Sequence, residues 1–550
     1  MAYMTSIRFA AWMLLAFSVD VFADGALRLY QDEQRQRESV ELEQRLRQLR
    51  RHAPTQDVAS KPVLQADEHC WKIPGVSVAG NQRIPDEAIA RTVTPLTQAC
   101  MGLSSINEIL RALTLLYLER GYIGSRPYLR TAPTENEPLD ILIIEGFVEA
   151  IELTDQQLPL SLSSAFPDLL GNPLQLRALE QGMDQLNRLR AFDLDAVIEP
   201  GELTGGSRVQ ISPRSRPPRA SFSALMDDRG NEATGRQRFN LGVSFDSPTQ
   251  LNDYLHLTAT RSTASRDGYS QQQGAYYNVP YGPWLLGLNA SQSRYRAPLP
   301  RGQLYNESRT RLYGLNLERT LWRNGRTLLS GNIRLSSKSI SSGLGQRSLA
   351  VQRTQLTVAE MGVGGLWFVN GLWSASLSYA QGIAGLGADS APATSRAPQP
   401  RFRKLRSTLG HSRSGQVAGQ SWRLNSQLEI QYSPDPLPSL EHLLLTDHYA
   451  VRGFRQTSVS SSSGALWRNT ISLPRPLPGG LALTPYLGLD LAHAVLDFDT
   501  EHQRLVGTTA GATLQWQGAR LSLEHQRPLF NSRQKRLEPG FWSLEMALSF

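Results

Sequence analysis

From Arg216 to Phe550 the sequence alternates between apolar and polar side chains, and few folds can carry that pattern. Within 422–432 the even positions carry Trp422, Leu424, Leu428, Ile430 and Tyr432. The odd positions carry Arg423, Asn425, Gln427, Glu429 and Gln431. The same period of two runs through 255–260, 373–379 and 542–550. Successive side chains of a strand point to opposite faces, so each run has one apolar and one wet face. Alternation alone fits a sandwich, a propeller or a barrel. A sandwich core, however, would reject large charged and amide groups, whereas a water-filled lumen accepts them. Runs of about 8–11 residues cross a bilayer with tilt. The last residue, Phe550, is an aromatic on the apolar face. Residues 216–550, at about 20 per strand and connector, make ~16 strands. Closing the sheet pairs every backbone group where lipid offers no partner. The expected fold is an all-β transmembrane barrel of about 16 antiparallel strands over 216–550.

The residues ahead of the barrel read differently. Arg8 precedes an uncharged run, 9–19, that is too short to span a bilayer, which needs about 20 apolar residues. It suits a signal-peptide core, with Val21-Phe22-Ala23 at the cleavage positions, so residues 1–23 are expected to be a signal peptide. No later segment reaches 18 apolar residues without charge. Residues 24–51 contain ALRLYQDEQRQRESVELEQRLRQLRR, rich in helix formers and free of proline. A helix this polar cannot enter a dry core; it needs water, a polar surface or a wet cavity. Residues 52–69, with Pro54 and Pro62, read as a linker.

Residues 70–148 and 149–215 repeat one order: strand, helix, helix, strand, strand. In the first unit, the helix within 104–121 has Ser105 as its expected cap, Glu108 three residues later and Gly121 as its stop. In the second, residues 176–189 form the strong helix. Cys70 and Cys100 both lie in the first unit. An oxidising compartment makes a disulfide between them the expected state, with two free buried thiols as the competing reading.

Composition removes other classes. Two cysteines exclude a cysteine-dense scaffold, an iron–sulfur protein and a zinc ribbon. The net charge of +8 is spread along the chain, and only five of the 57 basic residues are lysine, so nucleic acid is not an expected partner. There is no nucleophile elbow, phosphate-binding loop or His-Glu-x-x-His sequence. His442 and His448 lack metal-ligand spacing, and Asp497, Asp499, Glu501 and His502 read as a solvated turn. No catalytic residue, metal or cofactor is expected.

With these features in order, the chain resembles the TpsB transporters of two-partner secretion, within the BamA-type barrel superfamily. GYIGSRPYL (121–129), followed by IIEGFVEAIEL (143–153), resembles the end of a first POTRA domain. LRALEQGMDQLNRL (176–189), followed by EPGELTGGSRVQI (199–211), resembles a second. Residues 227–253 resemble the family's first barrel hairpin. VRGF (Val451, Arg452, Gly453, Phe454) with RNTISLP (468–474) resembles its signature loop, here about 433–466. Gly488, Asp490 and Ala492 resemble a strand motif whose last position is normally glycine.

The resemblance implies that the loop folds into the barrel and Arg452 pairs with Asp490 to lock it. It implies that the polar helix plugs the pore. It makes the chain an outer-membrane transporter with periplasmic POTRA domains, and not an enzyme. A large exported partner with an N-terminal secretion domain would be recognised there and passed through the barrel without nucleotide hydrolysis. Side-chain recognition is expected along the second POTRA helix, at Leu176, Leu179, Gln181, Gln185, Leu186 and Leu189. Outer-membrane lipid, lipopolysaccharide and the barrel assembly machinery are the other expected partners of a monomeric chain. An assembly factor that inserts other barrels is the alternative; a passive porin is a third reading that VRGF disfavours.

Overall fold

The structure is a computed structural model that describes residues 27–47, 70–263, 268–298, 305–344, 347–390, 398–495 and 501–550. The expected signal peptide and the linker 52–69 lie outside the described residues, as do Asp497 and Asp499 of the acidic turn.

The alternating region closes into an antiparallel barrel in which the first strand, Ala220–Asp227, pairs with the last, Phe541–Ser549. Phe550 completes the seam: its N–H donates to the Phe222 carbonyl at 2.9 Å, and its carbonyl accepts from the Phe222 N–H at 3.1 Å. There are 16 strands, because Ser463–Ser472 and Arg475–Leu477 both pair with Leu481–Val495 as halves of one strand. Pro474, which has no N–H to donate, sits at the interruption. The expected faces are present: Ile430 and Tyr432 are exposed on the outer wall, and Glu429 and Gln431 are buried inside it. The expected strand length is corrected. Strands Tyr305–Asn324 and Arg347–Phe368 run to 20 and 22 residues. The alternation marks the membrane crossing, while ladder pairing continues beyond it.

The first periplasmic unit has a sheet of Val76–Ala79, Leu139–Ile144 and Arg126–Leu129, the first two strands being parallel. Helices Asp86–Val93 and Leu103–Glu119 cover it, burying Ile89, Ile106, Ile109 and Leu113 against Leu139, Ile141 and Ile143. Tyr117 donates to Glu145 at 2.9 Å, and burial beside that carboxylate pushes its hydroxyl pKa up. The expected Ser105 cap is corrected: Gly102 is the N-cap, with no side-chain bond. A short strand, Cys100–Gly102, pairs with Cys70–Lys72 and delivers the chain directly into the helix. That added pair brings the cysteines together, and Cys70 and Cys100 form a disulfide with Cα atoms 5.5 Å apart.

The second unit pairs Phe147–Leu153 and Asp193–Pro200 on either side of Gly206–Ser215. Helix Leu176–Asn187 lies on this sheet, preceded by the four-residue helix Leu162–Ala165. Backbone bonds join the two units, from Leu176 N–H to the Gly121 carbonyl at 2.9 Å and from Leu174 N–H to the Gly146 carbonyl at 3.1 Å.

Candidate functional site

The lumen is occupied by two elements: a helix over 27–47 and the inward loop between strands Gln420–Tyr432 and Ser463–Ser472. Each is held by the charged groups that the inner wall presents.

Asp490 lies on strand Leu481–Val495 and faces inward, opposite in direction to the exposed Leu487 and Leu489. It is fully buried. The Arg452 side chain straddles it, with Nε 2.6 Å from Oδ2 and Nη2 2.7 Å from Oδ1. The Arg452 peptide N–H donates to the same Oδ2 at 3.1 Å, so the carboxylate holds the loop's backbone as well as its side chain. Nη2 also reaches the Asn469 carbonyl at 3.2 Å and the Thr470 hydroxyl at 3.1 Å. Arg468, directly across the ladder, brings Nε to 4.0 Å of Asp490 Oδ1.

The wall is hollowed to receive this arginine. A Cβ on Gly488 would overlap its guanidinium, and one on Gly507, opposite Asp490 in the ladder, would overlap its carbonyl. Gly453 has φ +100° and lies against the Arg527 carbonyl, so only glycine fits there. Val451 and Phe454 bury into an apolar patch with Leu445, Leu466, Ala492 and Leu505. The Ala492 side chain, where the family pattern has glycine, is thus part of the loop's seat.

A second attachment escaped sequence reasoning. Glu441, early in the loop and 2% exposed, accepts from Lys338 at 2.6 Å and Lys404 at 2.7 Å. Lys338 also donates to the Tyr30 hydroxyl of the helix at 2.6 Å. Gln31 of the helix donates to the His442 carbonyl at 2.9 Å. The available signal was the scarcity of lysine, since two of the chain's five lysines meet one carboxylate.

The helix makes polar contacts along its whole length, as its composition demands. Asp32 pairs with Arg238 at 2.7 Å, and Arg45 with Glu318 at 2.6 Å. Arg35 sits over the Tyr449 ring of the loop at 5.3 Å. At the periplasmic end, Gln44 accepts from Arg188 of the second unit at 2.9 Å. The apolar residues Leu27, Leu29 and Tyr30 meet Leu440 and Leu444 of the loop. Helix, loop, wall and second unit therefore share one contact network.

The six recognition candidates on helix Leu176–Asn187 and just beyond it need correction. Leu179, Leu186 and Leu189 are buried in the core of their unit, where its sheet covers the helix's apolar face. Gln185 donates to the Gly282 carbonyl in a periplasmic turn of the barrel at 3.1 Å. Asp184 and Glu180 pair with Arg323 at the barrel rim. Leu176 and Gln181 alone of the six remain accessible. The sheet edge is different: among the described residues strand Asp193–Pro200 has a partner on one side only, and Val197 and Ile198 on it are exposed. His442 and His448 do not meet at a common centre. His448 contacts Glu524 at 3.0 Å, while His442 contacts the Leu437 carbonyl at 2.9 Å.

Comparison with known proteins fits this geometry. The haemolysin secretion/activation protein family ShlB/FhaC/HecB matches residues 205–514. A ShlB-type POTRA domain matches 71–146, and a further POTRA domain matches 147–200. The hemolysin transporter protein ShlB of Serratia marcescens is 32% identical over 91% of this chain and 89% of its own length. The hemolysin transporter protein HpmB of Proteus mirabilis is 30% identical over 90% and 89%. The solved structure of CdiB from Escherichia coli superimposes with a TM-score of 0.85 at 25% identity, covering 96% of this chain and 99% of that one. With a family match over most of the barrel, two POTRA domains ahead of it and relatives alike along nearly their whole length, the chain belongs to the haemolysin secretion/activation protein family of outer-membrane transporters.

Proposed function

We propose that this protein carries a large exported polypeptide across the outer membrane in two-partner secretion, and that the contacts of Arg452 and Glu441 hold its pore shut between transport events. The observation that carries the reading is the filling of the lumen. Helix 27–47 and the inward loop occupy it through side-chain hydrogen bonds and ion pairs, which can be exchanged one at a time for water or for an arriving chain. A passive pore has no use for two removable fillings with a shared network.

Recognition is assigned to the periplasmic units. An extended polypeptide can add a strand at the open edge of Asp193–Pro200 by main-chain hydrogen bonds, with Val197 and Ile198 offering side-chain contact. That mode suits a substrate that arrives unfolded. The energy for export comes from folding of the substrate outside the cell, and no nucleotide is used. The barrel closes within one chain, which supports the reading of a monomer, inserted by the barrel assembly machinery.

Deletion of the gene in its host tests this. One very large polypeptide should vanish from the cell surface and medium and return with the wild-type copy. An unchanged secreted set, with many outer-membrane barrels falling together, would instead mark an assembly factor.

A further inference from the structure

On the outer wall of three neighbouring regions of the barrel, four arginines gather far from the periplasmic rim. On strand Trp284–Pro298 the even positions face outward, as the exposed Trp284, Leu286 and Leu288 show. Arg294 shares that face. On strand Tyr305–Asn324 the odd positions do so, with Tyr313, Leu315 and Leu317 exposed. Arg309 and Arg311 share that face. On strand Tyr254–Ser262 the exposed Arg261 shares the face of the exposed Leu257.

The ladder gathers these positions. Arg294 stands directly opposite Arg309. Arg261 and Arg294 are both opposite Gln271, one on each side. Arg311 is two residues along from Arg309, opposite Gln292. The carboxylate of this outer patch, Glu307, is taken by Arg296 at 3.3 Å. Among the described residues, Arg261, Arg294, Arg309 and Arg311 have no carboxylate partner. Like charges directly opposite on a sheet are destabilising, and among the described residues this arrangement has no counter-anion.

The height of the patch says which anion is at hand. The turn at Gly282 packs on the second periplasmic unit through Gln185, so Trp284 marks the periplasmic rim. Ten residues separate Trp284 from Arg294 on one strand. At about 3.3 Å per residue and a tilt of roughly 40°, that is about 25 Å, the height of a barrel's apolar band. A lipid-facing arginine costs about 2–4 kcal/mol at the bilayer midplane and little at an interface. Arg294, with Arg309 and Arg261 in its ladder row, therefore stands at the outer interface, and Arg311, two residues lower, reaches up toward it along its long side chain, above the apolar face formed by Leu288, Ala290, Tyr313 and Leu315. In a Gram-negative outer membrane that leaflet is made of a glycolipid whose diglucosamine head carries phosphates. A guanidinium fork matches a phosphate bidentately.

We propose that Arg261, Arg294, Arg309 and Arg311 form a binding site for the phosphorylated head of lipopolysaccharide, with its acyl chains lying on the apolar face beneath. The same wall carries Tyr295, Leu312 and Ile340 on its lumen side, where the start of the helix is buried. The glycolipid thus sits on the outside of the strands that hold the plug.

The test uses delipidated full-length protein in detergent, with binding of lipid A read by native mass spectrometry and by the melting temperature of the barrel. Bis-phosphorylated lipid A should bind and raise the melting temperature; dephosphorylated lipid A and inorganic phosphate should do neither. Arg294→Gln/Arg309→Gln/Arg311→Gln should bind at least five-fold less, while Arg319→Gln at the periplasmic rim binds as wild type. Equal binding by the triple variant, or by dephosphorylated lipid A, would overturn the site. An equal shift from inorganic phosphate alone would reduce it to a general anion effect and overturn the glycolipid. If the triple variant fails to insert, the two lipid A forms on wild-type protein decide the matter.

Discussion

Asp490 accepts three bonds from a single residue, one of them from a peptide N–H that survives any change of the Arg452 side chain. Arg452→Ala nevertheless removes both guanidinium bonds and leaves a buried carboxylate facing Arg468 alone. Breaking such a pair costs on the order of 2–4 kcal/mol where solvent is excluded, and a wet lumen moves the value to the lower end. Secretion of the partner should drop strongly while the barrel still inserts. Lysine at 452 should rescue poorly, because an ammonium cannot make both contacts at once. Asp490→Ala should cost at least as much as Arg452→Ala, because it also removes the acceptor of the Arg452 peptide N–H, and the double variant should be no worse than Asp490→Ala. Surface labelling of a Ser458→Cys reporter in the loop follows its release; additive losses, or equal labelling throughout, would show that the pair does not hold the loop. Glu441→Gln tests the second attachment in the same assay. It leaves Lys338 and Lys404 facing one another without their shared carboxylate, so labelling should rise even with Arg452 intact.

At the scale of elements, periodicity named the faces but not what covers them. The alternation from 216 onward made the strands and their inward charge legible, and the polar composition of 24–51 required a wet cavity. The Arg452–Asp490 contact was legible through local strings that resemble a family. Glu441 lies 103 residues from one lysine partner and 37 from the other, in no pattern, so nothing local announced it. Helix Leu176–Asn187 shows the opposite failure: its apolar stripe was plain, but a stripe does not say whether a partner or the unit's own sheet lies on it. Two element-level outcomes follow. Removing residues 24–51 should raise single-channel conductance in planar bilayers, because a helix about 10 Å across no longer fills the lumen; unchanged conductance in a folded deletion would dismiss the plug. Cys70→Ser/Cys100→Ser should lower the stability of the first POTRA unit by on the order of 3–4 kcal/mol, from the entropy of an opened loop of about 30 residues. Unfolding monitored with and without the bridge measures it, and an unchanged midpoint would show that the short strand pair is held by packing alone.

For the molecule as a whole, the periplasmic units and the barrel have separable duties but a shared interface. Removing 70–215 should abolish secretion and leave a heat-modifiable barrel in the outer membrane; secretion that persists would take recognition away from those units. The loss should exceed that of any edge substitution, because Arg188 and Gln185 also dock the second unit on the barrel and on the helix. The filled lumen has a consequence for the cell that hosts it. A bore wide enough for a polypeptide also admits bile salts and antibiotics that the envelope otherwise excludes. Each opening is a breach in a permeability barrier, and every copy of the protein is a standing risk of one. The many small contacts that hold helix and loop in place then answer to toxicity from leakage as much as to the traffic of cargo. Variants that loosen them should betray themselves first as drug-sensitive cells, before any change in what is exported.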